Sequence, residues 1–404
     1  CILTRVPPQG SRPARRMAPI TIGTDCSGME APVQAMRNLG VKYEHSFSCD
    51  ICKFARATIE ANFPHGQMYA DVTTRDNDAA PAVDVYVAGF PCQPFSSAGL
   101  RQGFADLRGR GTIFFDIRDY IDKKRPTVFV LENVRGLQSI NKGAYFRAMM
   151  ESLEKLGGYN IAVDLMDTKK HGIPHHRVRT YIVGIREDVD RGTFAFPEPI
   201  PCPPLDFFLE QKPAKAFAAK ALPPPTQTNA RKNVVATNRA LRRQGSDPAE
   251  ENVVIDCDST PAFSKYMVGT SPCITCGRSA GHWVTSRGRR FLKTEMMRLQ
   301  GMDPTKFKVV VSDSRLGHQL GNTMSVNVLE RLFCQALPAA GLVKPNGLRD
   351  RWLDGSAVKK LAATRNVAFA LRFGQLKKTE TAASKAKTCG AIVSGRPLKR
   401  AKTV

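Results

Sequence analysis

Apolar and polar positions alternate in blocks along the first half of the chain. Short runs rich in β-branched and aromatic residues read as strands, and runs with apolar residues every three or four positions read as helices. The strand runs are "APITIGT" (18–24), "YEHSFSCD" (43–50), "YAD" (69–71), "VDVYVAG" (83–89), "TVFVLENV" (127–134) and "RTYIVGIR" (179–186). Between them, "VQAMRNLG" (33–40), "CKFARATIEANF" (52–63), "GTIFFDIRDYIDKK" (111–124) and "YFRAMMESLEKLG" (145–157) have helical spacing. Strands alternating with helices predict an α/β fold with a doubly wound, mostly parallel sheet. Acids or glycine stand where the strands end, which is the edge where such sheets bind ligands.

After Arg186 the pattern dissolves into Pro-rich and irregular text, and helical spacing returns at 291–301 and 321–337. The expected organisation is a basic extension (1–17), a main α/β domain (18–186), a smaller irregular domain (187–305), a returning segment that completes the main domain (306–340), and a basic, mostly disordered tail (341–404). The chain opens on Cys1, and Met17, just before the first strand run, is the expected natural start.

Charge narrows the class of partner. The 404 residues carry a formal charge of +24, which favours a polyanion, nucleic acid first. Half of that excess lies beyond Gly341, where fifteen Lys and Arg face Asp350, Asp354 and Glu380. "GRPLKRAK" (395–402) fits a nuclear localisation cluster, so a nuclear or otherwise intracellular location is expected. Eleven cysteines are scattered without the spacing of a secreted disulfide scaffold. No apolar run is long enough to span a membrane. Cys257, Cys273, Cys276 and His282 could be arranged as zinc ligands, but a second CxxC is missing and no metal is expected.

The local chemistry centres on "GFPCQPFS" (89–96), where an apolar strand runs into a loop stiffened by Pro91 and Pro94. Taken alone, Cys92 there is open to a reactive or a structural role. Followed in order by "ENV" (132–134), "HGIPHHRVR" (171–179), "RLQG" (298–301) and "GNTMSVNV" (321–328), the motif resembles the cytosine-C5 DNA methyltransferase family, over about 20–186 and 287–335. The resemblance implies a Rossmann-like methyltransferase fold, S-adenosylmethionine as methyl donor, cytosine in DNA as acceptor, a target-recognition role for 187–305, and a monomer.

The residue types suit that reaction. C5 of cytosine is a poor nucleophile, and a thiolate added at C6 turns the ring into an enamine that can attack the methyl sulfonium. By resemblance, Cys92 is the nucleophile, Glu132 the acid that contacts N3, and Arg179, with Arg177 beside it, the cation that approaches O2. Donor contacts fall on Cys26 and the backbone of Ser27, Gly28 and Met29 after the first strand, Asp50 and Ile51 at the ribose, and Asp71 and Val72 at the adenine. Pro91, Ile113 and Asn322 complete the donor set. Three departures from the family pattern stand out: Cys26 in place of an aromatic residue, Glu30 where a second glycine is usual, and His175 where a glutamine is usual. The Gly-, Ser- and Arg-rich loop after Cys92 suits closure over nucleic acid, with Gln93, Ser96, Ser97, Arg101, Arg108 and Arg110 as expected contacts. A base inside a duplex must be flipped out to reach a buried thiol. The alternatives are a tRNA methyltransferase of the same fold and a non-catalytic DNA-binding relative. The absence of a Cys-Phe-Thr signature disfavours the first, and retention of Cys92, Glu132 and Arg179 disfavours the second.

Overall fold

A computed structural model describes residues 18–91 and 112–365. Cys92 and the expected loop contacts Gln93, Ser96, Ser97, Arg101, Arg108 and Arg110 lie outside the described residues, as does the 395–402 cluster.

In chain order the main domain runs β1 (Ile20–Asp25), α1 (Ala31–Asn38), β2 (Tyr43–Cys49), α2 (Lys53–Asn62), β3 (Gln67–Tyr69), β4 (Val85–Ala88), α3 (Ile113–Lys124), β5 (Val128–Val134), α4 (Ala144–Glu154), β6 (Tyr159–Asp167) and β7 (Val178–Arg186). The seven strands form one sheet in the order β3-β2-β1-β4-β5-β7-β6. The first five are parallel, and β7 runs antiparallel to both β5 and β6. The sheet is therefore mostly parallel, as expected, but it ends in the reversed strand β7 and an outer strand, β6, that was not expected. β6 sits at the edge with polar and exposed positions interleaved, so "YNIAVDLMD" lacks the apolar run of a central strand.

The central strands are buried on both faces, and alternation divides their side chains between two cores. Val85, Val87, Val128 and Val130 join α1 on one side. Tyr86, Ala88, Phe129 and Leu131 meet Phe114, Ile117 and Tyr120 of α3 and Met149 of α4 on the other.

Beyond β7 the chain forms α5 (Lys215–Lys220), α6 (Thr228–Arg243), β8 (Val253–Ile255), β9 (Tyr266–Val268), β10 (Trp283–Val284) and β11 (Arg289–Arg290). β8–β11 make an antiparallel sheet in the order β11-β10-β8-β9. α6 covers it through Val234 and Leu241, which pack with Val253, Ile255 and Trp283. The stretch expected to be irregular thus holds a 16-residue helix. Its strands are too short to leave a periodic signal.

The chain then returns through α7 (Lys293–Leu299), α8 (Asp313–Asn322), α9 (Val326–Ala339) and α10 (Ser356–Ala363). The helix expected over 321–337 is divided: α8 ends at Asn322 and α9 begins at Val326, with extended backbone at Thr323 and Ser325 between them. The break frees Thr323 O and Ser325 Oγ for partners in the 168–177 segment.

Residues 341–365, expected to belong to a disordered tail, are folded. Trp352 is buried and donates Nε1–H to Glu330 Oε2 at 3.1 Å. Arg298, fully buried, holds Thr364 and Glu210 together. The basic composition hid an anchor made of one tryptophan and a few apolar positions on α10. No helix among the described residues is long and apolar enough to cross a membrane.

Candidate active site

A cavity of about 280 Å³ opens at the carboxyl ends of β1, β2, β4 and β5. It is lined by Cys26, Gly28, Asp50, Ile51, Asp71 and Val72 at one end and by Pro91, Glu132, Arg177 and Arg179 at the other, with Ile113 and Asn322 also on its wall. Most of the expected site residues therefore converge, and the chain leaves the described region at Pro91, one residue before Cys92.

The donor end is shaped by the turn after β1. Cys26, Gly28 and Glu30 all adopt positive φ, at 51°, 57° and 53°. Gly28 N–H donates to Asp50 Oδ2 at 2.9 Å, and Cys52 N–H donates to Asp50 Oδ1 at 2.8 Å. Asp50 is thereby fixed at the end of β2, while burial raises its pKa. Asp71, two residues beyond β3, takes both Thr73 N–H and Thr73 Oγ1–H on Oδ1, which leaves Oδ2 as a ligand acceptor. Ile51 is 76% exposed, an apolar side chain held out at the cavity.

Ser27 and Met29 were expected to meet the donor through their backbone, and their side chains are engaged elsewhere. Ser27 ties β1 to β2: its hydroxyl contacts Thr24 O and Cys49 O and accepts from Cys49 N–H. Met29 is fully buried in the core. The side chains of both are structural, and only their backbone is near the turn.

Glu30 explains how the turn survives without its second glycine. A left-handed backbone at a non-glycine residue is unfavourable by roughly 1–2 kcal/mol. The fully buried Glu30 carboxylate accepts from Thr24 Oγ1 and Ser48 Oγ, both at 2.6 Å, and lies 3.5 Å from His45 Nε2. Those bonds hold the position that a glycine would otherwise adopt freely.

Beneath the turn, Arg75 is buried against Asp25, with Nη1–Oδ1 at 2.5 Å and Nη2–Oδ2 at 2.8 Å. Tyr86 also donates to Asp25. The guanidinium is enclosed by the rings of Phe47, Tyr69 and Tyr120, whose centroids lie 4.9–5.4 Å away. Arg75 follows Asp71 by four residues and Asp25 precedes Cys26, so one pin fixes two donor segments. Nothing in "DVTTRDN" advertised this, because the partners are distant in sequence.

At the other end Glu132 is nearly buried, and Arg179 Nε lies 3.1 Å from its Oε1. Strand register brings them together: Val134 faces Arg179 and Glu132 faces Tyr181 across the antiparallel pair. Burial pushes the Glu132 pKa up against the opposing pull of Arg179 and Arg177. Asn133 Nδ2–H donates to Phe90 O at 3.2 Å and so ties the end of β5 to the segment that leads to Cys92.

Arg177, expected beside Arg179 in catalysis, has another task. Its Nη1 donates to Ile274 O at 3.0 Å and Gly321 O at 3.2 Å, and its Nη2 to Thr323 O at 2.7 Å. It is a positioning residue that joins the end of α8 to the 272–276 segment. Gly321 permits the close approach, because a side chain there would run into Thr275 and Cys276. His175, in the usual place of a glutamine, joins the end of α7 to the same 272–276 segment: Nδ1–H donates to Leu299 O and Nε2 accepts from Ile274 N–H, both at 3.0 Å. Burial depresses its pKa to about 3, so the imidazole is neutral.

Three of the four residues weighed as zinc ligands have other polar neighbours. Cys257 Sγ lies 3.1 Å from Arg290 Nη1, and Cys273 Sγ lies 3.7–3.8 Å from Arg179 and Arg177. Those two cations lower the Cys273 pKa against burial. His282 Nε2 contacts Cys273 O at 3.3 Å. Sequence reading also missed Arg315, His318 and Gln319, which bring one face of α8 to the cavity wall. Their spacing was a helical signal, but the helix itself went unread.

The family model for C-5 cytosine-specific DNA methylase matches residues 25–337. A type II methyltransferase of Neisseria gonorrhoeae, M.NgoBI, is 33% identical over 317 residues, covering 74% of this chain and 89% of that protein. M.NlaX of Neisseria lactamica is 34% identical, covering 73% and 88%. Among solved structures, the Dnmt2 methyltransferase of S. pombe superposes with a TM-score of 0.53 at 18% identity, covering 79% of this chain and 98% of that one. The Entamoeba histolytica methyltransferase EhMeth gives 0.55 at 15%, covering 81% and 100%. The two structural likenesses speak to the fold. The sequence relatives named here are bacterial and lend no support to a nuclear location.

Proposed function

As a member of the C-5 cytosine-specific DNA methylase family the chain is a DNA cytosine-C5 methyltransferase, and we propose that it works through a covalent bond between Cys92 and C6 of a cytosine flipped out of the duplex. The observation that carries this reading is the Glu132–Arg179 pair at one end of a single cavity whose other end holds Asp50 and Asp71.

The donor end fits S-adenosylmethionine. Two anchored carboxylates suit ribose hydroxyls and an adenine amine, and Ile51, Val72 and Ile113 offer apolar surface to the purine. When bound, that cofactor supplies an electrophilic methyl group.

In the proposed sequence the Cys92 thiolate adds to C6 and the electron pair of the C5–C6 bond moves toward N3. Glu132, whose burial favours the protonated carboxyl, donates to N3 and stabilises that charge. Arg179 keeps the carboxyl in place and offers its guanidinium to O2. After C5 has taken the methyl group from the donor, N3 returns its proton to Glu132, the C5 proton passes to water, and expulsion of the thiolate restores the aromatic ring and the free Cys92. Residues 187–305, less α7, form the target-recognition domain in this reading. Extrusion of the base costs a few kcal/mol, which contacts from that domain and the loop after Cys92 offset.

A duplex carrying 5-fluorocytosine tests the proposal, because fluorine blocks the final loss of a proton. With donor present, the wild-type protein should form a stable adduct and Cys92→Ala should form none while still binding DNA. Adduct formation by Cys92→Ala, or its absence in a wild-type protein that methylates ordinary DNA, overturns the covalent route. Methylation of tRNA alone would move the substrate to RNA.

A further inference from the structure

α6 has a composition that the cavity does not explain. Its sixteen residues, "TNARKNVVATNRALRR", contain Arg231, Lys232, Arg239, Arg242 and Arg243 and no acid. Its buried face, Ala230, Asn233, Val234, Thr237 and Leu241, packs toward β8. Lys232, Arg239 and Arg243 are exposed and stand seven and four residues apart. At 3.6 residues per turn they form one line on the opposite side of the helix, about 16 Å long at 1.5 Å per residue.

Some surface cations on other helices have carboxylate partners: Lys215 meets Asp247 and Glu250, Lys123 meets Asp78, and Arg118 meets Asp122. Among the described residues, Lys232, Arg239 and Arg243 have no such partner. The C-terminal dipole accounts for Arg242 and Arg243 in the last turn. It does not account for Arg231 and Lys232, which stand near the positive end of the same helix. Arg239 and Arg243 are like charges at i,i+4, a spacing that costs a few tenths of a kcal/mol in isolation. A polyanion laid along the row would relieve that repulsion. Between Lys232 and Arg239, with Asn238 half-buried at the side, the exposed positions are Val235 and Ala236. These short apolar side chains have no hydrogen-bonding group with which to read a base edge.

We propose that the exposed row Lys232–Arg239–Arg243 of α6 grips the phosphate backbone of the DNA substrate, a contact that orients the duplex without reading its sequence. This rests on the DNA reading above and gives α6 one role within it.

The test is the salt dependence of duplex binding by the full chain. Each lost phosphate contact flattens the plot of log affinity against log salt by about 0.9. The triple variant Lys232→Gln, Arg239→Gln, Arg243→Gln should flatten it by roughly 2 to 3 on any duplex, cognate or not. Donor binding measured by calorimetry should remain unchanged and thereby report intact folding. A control with Lys42→Gln and Lys155→Gln, exposed cations at the far end of the sheet from the cavity, should keep the wild-type slope. An unchanged slope in the α6 variant, or an equal loss per charge in the control, overturns the proposal. A wild-type protein that binds no duplex at all would instead overturn the DNA reading beneath it.

Discussion

The donor end of the cavity is built from neighbouring strand tips of one sheet, whereas the acceptor end is assembled from segments far apart in the chain. Asp50 and Asp71 are set by backbone N–H and hydroxyl groups two residues away or, for Asp50, also by Gly28 N–H in the turn after the neighbouring strand. The Arg75–Asp25 pair pins them from below. Glu132 depends on β7 for Arg179, and Arg177 in turn depends on Ile274, Gly321 and Thr323. The donor end is thus held within the first strands of one sheet, and the acceptor end is held by segments from the far side of the chain. Damage to one should be separable from damage to the other.

The largest expected effect is at the acceptor end. Glu132→Gln should lower kcat by about 10²- to 10⁴-fold, the usual range for a lost proton donor, and leave donor affinity within about twofold. A comparable loss of donor binding would show that the two ends are not independent. Next comes the pin: Arg75→Met leaves Asp25 buried without its cation. It should destabilise the protein by about 3–5 kcal/mol, read as a fall in Tm, and raise the donor KM more than it lowers kcat at a temperature where the variant is folded. Equal changes in both would make Arg75 a general stabiliser rather than a donor-end pin.

Glu330 lies outside both ends and serves as a contrast. Burial raises its pKa to about 7. A carboxyl with a raised folded-state pKa contributes stability that is full below its unfolded pKa and is lost as pH rises through the folded value. Stability should therefore fall between about pH 4.5 and pH 7, by at most about 3 kcal/mol. Glu330→Gln should flatten that part of the Tm profile without moving either KM. The smallest effect is expected from Asp71→Ala, about tenfold in donor affinity, the scale of one hydrogen bond to a charged group, with the yield of fluorocytosine adduct at saturating donor unchanged.

The same division governs what could be read from sequence. The central strands β4 and β5 were legible because each is a contiguous apolar run, and the acids because each stands where a strand run ends. Glu132, Asp50, Asp71 and the start of the Cys92 loop all follow from that. Edge strand β6 and helix α6 were not read, since one mixes polar with apolar positions and the other carries five cations that mask its thin buried stripe. Arg177 and Arg179 look alike in "HRVR", yet one serves backbone carbonyls and the other a carboxylate, a difference set by residues about a hundred or more positions later. Glu30 read as a defect in the donor turn. Only Thr24 and Ser48, brought together by β1 and β2, reveal it as a substitute for glycine.

The reversed direction of β7 has a consequence for how this chain can vary. Were that strand parallel to its neighbour, its first residues would emerge at the rim remote from the reacting base. Because it runs backwards, Arg179 enters at the working rim almost as soon as the strand begins. A one-residue deletion between 168 and 177 that slipped the pairing would turn that guanidinium to the opposite face. The length of that connection is therefore as strictly constrained as the identity of any side chain it delivers.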